Sequence, residues 1–183
     1  YSKPGKVFLG LVHRLDRNVS GVVVLARTSK AASRLSRAFA SRAIDKRYLA
    51  IVVGRPTEHG ELVDRLGPRQ GERGVERRSD GKEARLRFER LAHSAGHAVL
   101  EIELLTGRKH QIRAQLALAG LPIYGDPLYG VPVRSLRRPA LHAHRLSFEH
   151  PVRREPVVLL APVPKALDDA AIALGFASEW QQF

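Results

Sequence analysis

Positions 13–21 read HRLDRNVSG, a short polar turn between two runs of β-branched residues, with Asp16 flanked by Arg14 and Arg17. Opposite charge on both sides favours the ionised carboxylate, which suits a nucleophile better than a proton donor. The same residues could equally form an ordinary turn, with Asp16 satisfying backbone donors and the arginines solvated. A second cluster is TGRKHQIRAQ at 106–115. If Thr106 caps a helix running to Ala119, its first turn carries Arg108, Lys109 and His110. Backbone N–H groups and the helix dipole would add to those cations and make an anion site. Arg113 follows on the next turn, on a face shared with Lys109 and His110; the alternative is a basic surface with Ile112 and Leu116 turned to the core. In KRYLA, at 46–50, Tyr48 alternates with apolar neighbours and so faces either the core or a cleft. In PIYGDPLYG, at 122–130, Gly and Pro describe tight turns that Asp126 would organise. His142 and His144 alternate along a strand and His150 lies close by. No carboxylate or further ligand stands at a telling spacing, so the histidines read as structural or partner-facing, and no metal is expected.

The elements that must position these groups follow from periodicity. Residues 9–12 and 21–26 read as short buried strands on either side of the Asp16 turn. Ser29 would cap a helix to about Arg42, with Ala31, Leu35, Ala38 and Phe39 on one face. Residues 47–53 form a strand ended by Gly54 and Pro56, and 67–82, Gly-rich and charged, form an exposed loop or irregular hairpin. Residues 83–91 and 98–105 pair around 93–96. After the second basic cluster, Gly120 and Pro122 stop its helix. Strands at 141–148 and 157–161 and a helix at 165–174 complete the chain. This interleaving predicts an α+β fold with a mixed, largely antiparallel sheet flanked by helices.

Bulk properties narrow the function. The chain has 183 residues, ordinary for one domain, and a formal charge of +13 with a pI near 11.0. Such charge favours a polyanionic partner, because each neutralised phosphate releases counterions. Arginine outnumbers lysine, and its planar fork binds phosphate and stacks on bases. Cysteine is absent, which excludes disulfides, thiolate nucleophiles and cysteine-ligated zinc. No apolar run approaches the roughly 18 residues of a membrane span, and no signal-peptide pattern opens the chain, so a cytoplasmic protein is expected. Methionine is absent even at position 1, so the sequence is expected to lack an N-terminal portion.

Taken together and in order, HRLDRNVSGVVVLA, KRYLA, TGRKHQIRAQLALAGLPIYGDPLYG and LHAHRLSFEHP resemble the RluA-like family of RNA pseudouridine synthases. The resemblance covers about residues 8–164. It implies a bent, mainly antiparallel sheet with a basic cleft, no metal or organic cofactor, a catalytic aspartate at Asp16, an active-site tyrosine at Tyr48, and Arg113 as partner of the aspartate. The family often has TSG where this chain has Val19-Ser20-Gly21, and RxH where it has Arg113-Ala114-Gln115. Members also place a strand and a KPxG segment before HRLD. Lys3-Pro4-Gly5 stands too close to fill that role, so residues 1–183 are expected to be one catalytic domain, N-terminally incomplete and lacking a sheet strand.

The implied reaction breaks the N1–C1′ bond of uridine, turns the freed uracil and closes a C5–C1′ bond. Asp16, held by Arg113, would attack C1′ or stabilise its cationic character; a route through 2′-deprotonation is also open. Tyr48 would stack beside the base and help remove the C5 proton, directly or through water. Arg14 would fill the space left by the flipped nucleotide, with Arg17, Arg108, Lys109 and His110 binding RNA. The expected substrate is ribosomal or transfer RNA, bound by a monomer. A non-catalytic RNA-binding or assembly protein of the same fold is the alternative.

Overall fold

The computed structural model describes residues 8–176. Lys3, Pro4 and Gly5, and with them the expectation about a leading KPxG segment, lie outside the described residues.

The chain first makes a small ribbon. β1 (Gly10–Leu11) pairs antiparallel with β3 (Leu25–Ala26), and between them β2 (Ser20–Gly21) leaves the ribbon. The expected strand over 21–26 is thus divided: Val22 to Val24 bridge two different partners. The expected burial also fails, since Leu9, Leu11, Val23 and Leu25 are exposed. A two-stranded ribbon covers one face only, and here that face meets α1 (Ser29–Ala40). The cap of α1 is Thr28, whose side chain accepts from Ala31 N, one residue earlier than the sequence suggested.

The rest is one sheet. Its strands are β4 (Asp45–Val53), β5 (His59–Pro68), β6 (Val75–Arg77), β7 (Lys82–Ser94), β8 (His97–Leu104), β9 (Leu141–Glu149) and β10 (Pro156–Leu160). They lie in the order β10-β9-β4-β8-β7-β5-β6, all antiparallel, while β2 adds in parallel to β9. The fold is α+β with a largely antiparallel sheet, as expected. The 67–82 segment is the predicted irregular hairpin, with β6 returning on the end of β5. Ala95 (φ 45) and Gly96 (φ 80) make the tight turn from β7 to β8. Two register shifts, at Arg47/Leu49 against β9 and at Arg90/Ala92 against β8, bend the sheet.

Alternation decides what each face does. Ile51, Val52, Leu86, Val99, Leu100 and Ile102 are buried in the core. Onto it pack Ile112 and Leu116 of α2 (Gln111–Leu118) and Leu167, Ala170 and Ala171 of α3 (Lys165–Ala173). Towards the ends of β4 and β8 the faces diverge: Lys46, Tyr48 and Leu104 line a cleft on one side, while Arg47, Glu101 and Glu103 line a charged groove on the other.

Candidate active site

Asp16 stands on the connection from β1 to β2. Asn18 takes the left-handed conformation (φ 65) and Val19 N–H donates to Asp16 O at 3.1 Å, so the chain reverses tightly at the carboxylate. A neutral histidine pins each end of this turn. His13 Nε2 accepts from Val24 N–H at 2.9 Å and its ring stacks on Phe39 of α1 at 4.5 Å. An accepting nitrogen must be unprotonated, and burial, then the Lys46 charge, hold His13 below the usual histidine pKa. At the other end Ser20 Oγ lies 2.8 Å from His142 Nδ1, and His142 Nε2 lies 3.1 Å from the Ala161 carbonyl. The carbonyl calls for N–H at Nε2, so Nδ1 accepts the Ser20 hydroxyl; burial lowers the His142 pKa accordingly. Arg138 Nη2 donates to the same Ser20 oxygen at 2.7 Å. Gly21 (φ 136) completes the clamp, because any Cβ there would collide with Ala143 of β9.

The turn overhangs a cleft of about 480 Å³. Asp16 and Tyr48 both line it, with Val19 and Ile112 as apolar walls and Arg14, Arg42, Lys46, Arg108 and Lys109 as cations. Tyr48 sits at the register shift between β4 and β9, a place where bulges commonly re-aim a side chain towards a site. Burial, followed by the Asp16 charge, pushes its pKa up to about 12. Tyr48 is therefore a neutral phenol at physiological pH.

Arg113 lies behind this wall, 5% exposed. One edge of its planar guanidinium is held by Asp126, with Nε–Oδ2 at 2.6 Å and Nη2–Oδ1 at 2.7 Å. Burial pushes the Asp126 pKa up, but the Arg113 hydrogen bonds, the Leu128 and Tyr129 amides and the guanidinium charge outweigh it and hold it low. The Tyr129 ring faces the guanidinium at 5.1 Å, and its hydroxyl accepts from Val75 N–H at 2.6 Å. Among the described residues no ion pair joins Arg113 to Asp16; the Asp16 charge nonetheless acts on Arg113, on His110 and on Tyr48. The expected pairing is thus replaced by a shared field. One bidentate carboxylate takes the Nε–Nη2 edge of the guanidinium, and Asp16 contributes from farther off.

Thr106 does not cap α2. It is buried, its hydroxyl donating to Gln111 Oε1 at 2.7 Å, and Gln111 Oε1 also accepts from Arg108 N–H at 3.0 Å. Gln111 thereby ties down the loop from within, and His110 (φ 51) turns the chain into a helix that starts only at Gln111. Arg108 and Lys109 therefore reach the cleft from a loop rather than from a helical turn. Gln115, where the family often has His, is fully buried and donates to Asp64 Oδ2 and Ala84 O. Of the RNA-binding candidates, Arg14, Arg108 and Lys109 line the cleft. Arg17 is exposed on the turn and His110 contacts Tyr129, both off the lining. His142 and His144 are buried, His144 lying 3.1 Å from Glu101, and His150 accepts from the Val152 and Arg153 amides.

Sequence reasoning missed Lys46 as a cleft residue, although its spacing of two from Tyr48 carries that information. It also missed the Ser20–His142 clamp, which depends on strands far apart in sequence.

Known proteins share the sequence pattern and the fold of this chain. Residues 1–118 match the family model described as RNA pseudouridylate synthase. A ribosomal large subunit pseudouridine synthase D from Xanthomonas campestris is 39% identical over 90% of this chain and 54% of its own length. The Vibrio cholerae protein of that name is 37% identical over 90% and 56%. This chain spans about half the length of the curated relatives it matches. Among solved structures, human RNA pseudouridylate synthase domain containing 4 is similar in fold, with a TM-score of 0.77 at 24% identity over 91% of this chain and 76% of that one. Human RNA pseudouridylate synthase domain containing 1 gives 0.74 at 24% identity, over 93% and 81%.

Proposed function

The chain belongs to the RNA pseudouridylate synthase family, and from that premise we propose that it isomerises uridine to pseudouridine in RNA, with Asp16 as the catalytic carboxylate. The observation that carries this reading is the convergence of Asp16 and Tyr48 on one cation-rimmed cleft. Its volume falls within the roughly 300–1,000 Å³ of small-ligand sites, which suits one extruded nucleotide. Extrusion costs a few kcal/mol, offset by contacts in the pocket and to the backbone. The names of the bacterial relatives point to large-subunit ribosomal RNA as the substrate and hence to the cytoplasm. Residues 1–183 act as one catalytic domain, as a monomer.

Asp16 either attacks C1′ as uracil leaves through N1, or stabilises the positive charge that develops there; a 2′-deprotonated route uses the same position. Uracil then turns and C5 bonds to C1′, releasing the Asp16 carboxylate where it had bonded there; the C5 proton leaves and N1 gains one, so mass is unchanged. With its pKa near 12, Tyr48 enters as a phenol, suited to packing against the base and to hydrogen bonding. Removal of the C5 proton then runs through a water that Tyr48 orients. Arg113, fixed by Asp126, contributes its field to the site rather than a direct bond. Arg14 takes the space the nucleotide leaves, and Arg17, Arg108, Lys109 and His110 meet the surrounding phosphates.

Nucleoside analysis of treated RNA tests the reaction class. The expected product has the mass of uridine, elutes separately and resists loss of its base on fragmentation. Shortened chains or abasic sites would instead mark a nuclease or a glycosylase.

A further inference from the structure

The cleft contains a cation to which the proposed chemistry assigns no role. Lys46 lies two positions before Tyr48 on β4, so strand alternation turns both into the cleft. Its ammonium faces the loop that follows β8: a Cβ added at Gly107 would lie 3.9 Å from Nζ. Around it are Arg42 on the same wall, His13 at the turn, and Arg108 and Lys109 on the facing loop. The neighbouring carboxylate, Asp45, is engaged elsewhere, by Arg47 at 3.0 Å, Ser147 at 3.2 Å and Arg145 at 3.7 Å. Among the described residues Lys46 makes no ion pair. Burial, then the Arg42 charge, pushes its pKa below the ordinary lysine value, with Asp45 offsetting this only in part. A half-buried ammonium facing other cations is unfavourable until an anion joins them.

We propose that Lys46, with Arg42 and the loop at 107–109, forms a phosphate subsite that grips the RNA backbone beside the extruded uridine and sets how deeply the base enters. This rests on the reading of the cleft as an RNA site. Phosphodiester oxygens supply the missing negative charge, and an ammonium can follow them as a point charge while the neighbouring arginines fork onto them.

The test uses unmodified large-subunit ribosomal RNA transcribed in vitro, with binding measured across a KCl series and turnover by tritium release from C5-labelled uridine. Lys46→Met should raise KM about tenfold, with kcat changing less than about threefold. It should also flatten the logarithmic salt slope by about 0.7. Lys46→Arg should recover most of the affinity, and Lys165→Met, on the distant α3, should match wild type. The urea midpoint separates binding from scaffolding. A cation kept for a ligand is a liability in the free protein, so Lys46→Met should hold or raise the midpoint. A lowered midpoint marks a structural lysine and overturns the proposal. Equal KM and salt slope for wild type and Lys46→Met also overturn it, while leaving the RNA reading intact. If inorganic phosphate competes at Lys46 and RNA does not, the subsite belongs to a free anion and the proposal fails. A wild-type chain that neither binds RNA nor releases tritium sinks the reading and the subsite together.

Discussion

At the scale of the residue, the buried Arg113–Asp126 pair decides how well the site is held. Asp126 reads in the sequence as the organiser of its loop, and it is: its Oδ1 accepts from the Leu128 and Tyr129 amides. It also takes both arms of Arg113, a role that the 13-residue separation conceals. Asp126→Asn would leave a buried guanidinium without its countercharge, at a cost of about 3–5 kcal/mol. Urea denaturation would measure this, and a loss within error would show that Asp126 only shapes the loop. The Asp126 pKa is depressed in the folded state, so its stabilisation is complete above the ordinary aspartate value near 4 and is lost as pH falls below it.

At the scale of the element, the Asp16 turn is held at both ends by histidines that must stay neutral. Both His13 and His142 have pKa values lowered by burial. Between those values and about 6.5 the unfolded chain binds protons that the folded chain does not, so stability falls as pH drops through that window. Both turnover and the thermal midpoint should decline below about pH 6.5, and the two imidazoles should titrate below the ordinary histidine value by NMR. Titration at or above that value would remove the clamp. The strands and helices around the turn were legible because their periodicities are strong: β4, the β7–β8 hairpin, β9 and α3 all lie within a few residues of expectation. The divided 21–26 strand was not, because Ser20–Gly21 joins β9, some 120 residues away, and no local pattern specifies that partner. The start of α2 was misplaced for a related reason. Thr106 has the chemistry of a cap, but Gln111 captures its hydroxyl.

At the scale of the whole molecule, the net charge of +13 is unevenly available. On the groove side of the sheet the arginines are matched: Arg47 by Asp45, Glu101 and Glu103, and Arg85 and Arg87 by Glu61. In the cleft, Arg14, Arg42, Lys46, Arg108 and Lys109 have no ion pair among the described residues. The sequence predicted a polyanion partner from the total, but only folding shows on which side the charge is left uncompensated. Arg108→Ala should therefore weaken RNA binding and reduce the salt slope by about 0.7–0.9. Arg87→Ala, which removes an already neutralised charge, should leave that slope unchanged; equal effects would contradict the partition. The claim on which all of this depends is that Asp16 reacts with a uridine held in the cleft, and tritium release from RNA labelled at uridine C5 tests it most directly. Wild-type protein should release tritium while Asp16→Ala, folded and still binding RNA, releases none above background. Equal release from the two proteins, or none from either, would contradict it.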